Sequence, residues 1–153
     1  MKRIVTLALL CAALGIPAKA GDGLEELRTA MAQVKDLSTA MREGRTKGNL
    51  GAIRSALSIY YGDHEGRYPM SLDELTNGNY LKFIPQADTA RPEHAATNSV
   101  LVLTKVVDEA DLYRQLQDTG GWAYVADPDS PAWGILVVDC THADSKGRLW
   151  YLY

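Results

Sequence analysis

The chain has 153 residues, 46% hydrophobic and 23% charged, with a formal net charge of −3. That supplies one modest globular core and not two. The acidic balance leaves no electrostatic footprint for phosphate backbones, so nucleic acid is excluded as the expected partner.

The first segment, "MKRIVTLALLCAALGIPAKA", has a basic start at Lys2 and Arg3 and an apolar stretch from Ile4 to Ile16. It closes on Ala18-Lys19-Ala20, the small-x-small form of a signal-peptidase site. Residues 1–20 therefore read as a signal peptide, with Gly21 as the mature N-terminus. A membrane span needs ~20 apolar residues, and Pro17 and Lys19 close this stretch sooner. The expected location is periplasmic or secreted, with no membrane span after cleavage. Cys11 reads as part of the apolar region and not as a lipid-modified terminus. Removing Lys2, Arg3 and Lys19 takes the charge from −3 to −6. Only Cys140 then remains, so no intramolecular disulfide can staple the fold.

From Leu24 the apolar residues recur at Leu27, Met31, Val34, Leu37 and Met41, in steps of three and four. That spacing predicts an amphipathic helix, with Asp22 able to cap it. The pattern resumes at Leu50, Ile53, Leu57, Tyr60 and Tyr61. Gly44, Gly48 and Gly51 lie between the two halves, each costing ~1 kcal/mol in a helix interior. Either one long helix with a weak middle or two helices meeting near Gly44 to Gly48 would fit. A continuous helix from 24 to 61 would be roughly 57 Å long, more than this core can cover. Residues 21–47 are accordingly expected to form an amphipathic extension, and 48–153 the globular head. The face made by Leu24, Leu27, Met31, Val34 and Met41 is the expected docking surface.

Gly62-Asp63 should end the helix, and "SLDEL" (71–75) should start another, with Ser71 and Glu74 at capping-box spacing. Residues 86–99, rich in Ala, Thr and Asn, read as a surface loop. "VLVLTKVV" (100–107) is strand-like, and 108–117 reads as a short helix ending before Gly120-Gly121. Three strand-sized runs follow: "GWAYVA" (121–126), "WGILVVD" (133–139) and "GRLWYLY" (147–153). Their short connections predict an antiparallel meander. The expected fold is α+β, a long N-terminal helix packed on a three-stranded antiparallel sheet.

The order of phrases in 47–85, a helix ending near Tyr60-Tyr61, "GDHEGRYP", "SLDEL" and "YLKFIP", resembles the type IV pilin family. It is most similar to the major pseudopilins of type II secretion systems. The tail from 120, with its Cys-Thr-His and Lys-Gly hairpin, resembles pilin-like proteins more loosely. The resemblance implies a pilin-like fold and a structural or interaction role in a secretion or pilus-like apparatus. Its implied partners are secretion or pilus components, or further copies of the chain. An ordinary cleavable signal stands where that family has its prepilin N-terminus, so the family's N-terminal functional residues have no counterparts here.

The chemistry-bearing residues are few. "DCTHAD" brings Asp139, Cys140, His142 and Asp144 together, and on an extended segment Cys140 and His142 share a face. Zinc wants four ligands, and His64 and His94 are remote in sequence. Cys140 therefore reads as a core cysteine and His142 as a turn residue, with no metal ligand and no catalytic residue assigned. The cofactor expectation is none. Calcium is the one candidate ion, because major pseudopilins hold one among their C-terminal strands and Asp127 and Asp129 offer carboxylates. Trp122, Trp133 and Trp150 are expected to pack on the sheet. The chain is expected not to be an enzyme. Two readings compete with the interaction protein: a periplasmic small-ligand or ion-binding module and, more distantly, a hydrolase built on Cys140 and His142.

Overall fold

The computed structural model describes residues 22–153, so Ala18, Ala20 and Gly21 of the expected cleavage site lie outside the described residues. Helix α1 (Asp22–Asp63) is followed by α2 (Asp73–Asn77), β1 (Val100–Leu103), α3 (Glu109–Gln115), β2 (Trp122–Val125) and β3 (Leu136–Val138). A 3-10 turn, Trp150–Leu152, ends the chain. One compact unit ends at Ser38 and a second runs from Thr39 to Tyr153. Among the described residues no helix is long and apolar enough to cross a membrane.

Of the two helical alternatives, the uninterrupted one holds. α1 passes through Gly44, Gly48 and Gly51 without a break. The glycine penalties are outweighed by tertiary burial, since Leu50, Ile53, Ala56, Leu57 and Tyr60 are all in the core. They meet Trp122, Tyr124, Leu136 and Val138, which alternate along β2 and β3 onto one sheet face. The intervening Ala123, Val125 and Val137 pack on the other face with Leu103, Leu112 and Tyr151. The sheet is thus covered on both sides.

The α+β class stands, but the sheet is mixed and not antiparallel. β2 pairs antiparallel with β3, and β1 pairs parallel with β2 from Val100↔Trp122 to Leu103↔Val125. A parallel neighbour requires a crossover, and α3 supplies it, capped by the Asp108 carboxylate on Asp111 N–H. The predicted third strand, 147–153, is not one. Leu149 makes a single bridge with Ala143, after which the chain coils so that Trp150 is fully buried. Trp122 is also fully buried, its indole N–H donating to the Pro85 carbonyl at 2.8 Å.

The elbow after α1 is built from aromatic packing. Tyr68 lies 4.6 Å from the Tyr61 ring and edge-on to Trp133 at 5.8 Å. Gly134 has φ +86°, and a Cβ there would fall 2.4 Å from the Tyr68 ring, so only glycine fits. Glu74 fulfils half of the predicted capping box, accepting from Ser71 N–H at 3.2 Å and Met70 N–H at 2.8 Å. It also accepts from the Tyr60 hydroxyl at 2.6 Å, which ties α2 to the end of α1.

Candidate functional site

The expected surface loop at 86–99 is largely an anchored one. Ala87 bridges Thr97, and Ala87, Asp88, Thr89 and His94 are buried. Its anchors come from the polar side of α1. Arg42 binds the Asp88 carboxylate through two nitrogens at 2.7 and 2.8 Å. The Thr46 hydroxyl donates to the Asp88 carbonyl and accepts from the Asp88 N–H, and Asn49 donates to the Gln86 carbonyl. One step round the helix, Glu43 accepts from both the N–H and the hydroxyl of Ser145. Lys47 reaches Asp144 at 2.5 Å and the Tyr153 hydroxyl at 2.9 Å. Residues 39–47, assigned above to the extension, thus make many of their side-chain bonds with head loops.

The anchored loop delivers His94 to the exit of β3. His94 Nε2 stands 3.2 Å from His142 Nδ1, and Cys140 Sγ lies 3.6 Å from the same nitrogen. Asp118 completes the group, with Oδ1 3.6 Å from His94 Nε2 and Oδ2 3.2 Å from His142 Nδ1. Cys140 is fully buried and His94 nearly so, while Asp118 and His142 are partly exposed. Burial pushes the Cys140 thiol up to about 11. Burial also works against the charge on Asp118. The Thr141 N–H and the neighbouring His142 and His94 outweigh it, so that carboxyl sits below its ordinary value.

Each member is held by backbone chemistry. Asp118 has φ +57°, a left-handed conformation that costs energy at a non-glycine residue. The buried Asp139 carboxylate offsets that cost by accepting the N–H groups of Gln117, Asp118 and Thr119 and the Thr119 hydroxyl. Gly120 has φ +76°, and a Cβ there would lie 2.7 Å from His94 Cβ, so the turn admits His94 only because residue 120 is glycine. Behind His142, Nε2 faces the Glu93 carboxylate at 3.5 Å.

Neither His94 nor Asp118 was assigned a role from sequence. His94 is 48 residues from His142, and no ligand spacing links them. At the calcium candidate, Asp127 accepts from Lys105 N–H through one oxygen and Asp129 N–H through the other. One oxygen therefore caps the local turn, and the other ties that turn to the segment after β1.

The docking-face residues lie elsewhere. Leu24, Leu27, Met31 and Val34, with Leu37 beside them, are exposed in the first unit. Met41, in the second, is exposed as well. Their exposures run from 56% to 69%, against 0% for Ile53 farther along the same helix. Compared with protein-family models, curated proteins and solved structures, the chain matches none.

Proposed function

We propose that the chain is a non-catalytic, pilin-like interaction protein acting outside the cytoplasm, as an accessory of a type II secretion or type IV pilus-like apparatus. Its docking face is the helix seam of Leu24, Leu27, Met31 and Val34, and its occupant is an apolar helix of a pilin-like subunit. The observation that carries this reading is the exposure of those large apolar side chains on one narrow stripe. Steps of three and four make the seam of a helix pair, whereas a helix lying on a sheet uses a broader stripe. Fully burying each Leu or Met would contribute ~1.5–3 kcal/mol. The aromatic elbow at Tyr60, Tyr61 and Tyr68 is consistent with a rigid joint between helix and head. A hydrolase built on Cys140 is disfavoured, because a fully buried sulfur offers a substrate no approach.

Photo-crosslinking from position 31 of the exported chain, followed by identification of the adduct, tests the proposal. An adduct with a pilin-like subunit, lost in Leu27→Glu, is the expected result. Adducts only with unrelated envelope proteins, or none, would overturn it. The small-ligand alternative draws on one observation, an open cleft of about 820 Å³ lined by Tyr60, His64, Tyr68 and Trp133. A small molecule that protects the Trp133 indole from solvent quenching, in a chain that yields no helix adduct, would move the balance to it.

A further inference from the structure

We infer that His94, Asp118, Cys140 and His142 form a binding site for one zinc ion, which clips three separate segments of the head together. The inference goes beyond the docking function and does not rest on it. Each of the four residues offers one ligand atom, and these atoms all lie within 4.8 Å of one another. Zinc bonds of about 2.0–2.3 Å in a tetrahedron put neighbouring ligand atoms about 3.2–3.6 Å apart. The contacts observed are 3.2 Å between the two histidine nitrogens and 3.6 Å from Cys140 Sγ to His142 Nδ1. Asp118 Oδ2 stands 3.2 Å from His142 Nδ1, while Oδ1, 3.6 Å from His94 Nε2, accepts the Thr141 N–H and so orients the carboxylate. Two imidazoles, one thiolate and one carboxylate make a borderline-soft donor set that suits zinc over calcium or magnesium.

The surroundings fit a metal centre as well. Glu93 faces His142 Nε2, the position from which a carboxylate fixes the ring so that Nδ1 is free to ligate. Asp139 holds the strained turn that presents Asp118, and Gly120 makes room for His94. A bound cation would make the 86–99 loop, the 117–121 turn and the exit of β3 a single cross-linked unit. Binding replaces the thiol proton with the metal, and the proton leaves to solvent.

The test uses the full exported chain, stripped with a chelator and titrated with Zn²⁺, and separately with Co²⁺ as a spectroscopic probe. We expect one equivalent of zinc per chain with a Kd below about 1 μM, within the range of protein zinc sites. A rise in thermal midpoint should accompany saturation. Bound Co²⁺ should show intense tetrahedral ligand-field bands together with a thiolate charge-transfer band. Cys140→Ser should abolish the charge-transfer band, and His94→Gln and His142→Gln should each weaken zinc binding at least tenfold. Should the buried His94 or Cys140 variant fail to fold, His142→Gln, on a partly exposed loop residue, carries the test. Absence of tight binding, octahedral cobalt without a thiolate band, or unchanged affinity in His142→Gln would each overturn the inference.

Discussion

Two stretches of one helix behave in opposite ways. In residues 22–38 the large apolar side chains are exposed, and the side-chain bonds are local, from Arg28 to the Glu25 carboxylate and from Thr29 to the Glu25 carbonyl. In residues 39–49 the apolar Met41 is exposed, while Glu43 and Thr46 are buried and Arg42, Lys47 and Asn49 reach residues far along the chain. Hydrophobic burial begins only at Leu50. The head is therefore joined to its helix first by ion pairs and hydrogen bonds, and by apolar packing only afterwards. Polar contacts of this kind contribute less net free energy than the core, but they are costly to leave half made.

That asymmetry makes truncation the strongest way to break the comparison. A chain starting at Thr39 should unfold at nearly the same denaturant midpoint as the longer one. A chain starting at Gly48 loses Arg42, Glu43, Thr46 and Lys47 together. It strands the Asp88 and Asp144 carboxylates at buried positions, and the expected loss is about 3 kcal/mol or more. Chemical unfolding of both truncations measures this directly. Equal losses from the two cuts would mean that the polar anchors contribute nothing.

A single anchor sharpens the same point through pH. Burial would raise the pKa of Asp144, but the hydrogen bonds from Lys47 and Tyr153, then the N–H groups of Arg148 and Lys146, outweigh it. The carboxyl is held well below its ordinary value of 3.8. A depressed folded-state value contributes stability that is fully present above about pH 5 and is lost as pH falls through that lower value. Asp88, held down chiefly by its Arg42 hydrogen bonds, acts in the same direction. Asp144→Asn should therefore cost about 1–3 kcal/mol at neutral pH and flatten the acid limb of the stability curve. An acid limb as steep as that of the parent chain would assign the acid sensitivity to other groups.

The split between apolar and polar anchoring also explains what the sequence made legible. The stripe Leu50–Ile53–Leu57, the capping Glu74 and the strands at 122 and 136 carry their period or spacing in the residues themselves, and each is found near its expected place. Parallel pairing of β1 is set by a crossover through α3; the strand–helix–strand order of 100–126 carries that signal, but the short connections farther along point to an antiparallel meander instead. The tail "GRLWYLY" has strand propensity throughout, yet burying Trp150 and bringing the Tyr153 hydroxyl to Lys47 coil it instead. The cluster was half visible, since Cys140 and His142 are two residues apart. His94 arrives on a loop whose anchors, Arg42 and Thr46 on Asp88, are separated from it by more than 40 residues and leave no periodic trace. Hydrophobic patterning reads a core well and is blind to contacts that polar side chains make at a distance.

The smallest effect on stability is the most informative about residues 22–38. Leu27→Ala and Met31→Ala remove exposed side chains, so each should change the unfolding free energy of the dilute chain by less than about 0.5 kcal/mol. The same truncation at Ile53, fully buried, should cost about 2–5 kcal/mol. An isolated helix of this length is marginal in water, and its amides exchange by local fraying at little free-energy cost. Amides of residues 22–38 should accordingly exchange within seconds in dilute solution, while those of Ile53 and Leu57 exchange only as the head unfolds. Burial of the seam against a partner helix would slow exchange through 22–38 and leave the head amides unchanged. Slow exchange across 22–38 in the dilute chain alone, undiminished in Leu27→Ala, would show that the segment is held by something other than its apolar seam, and the docking proposal would fall with it.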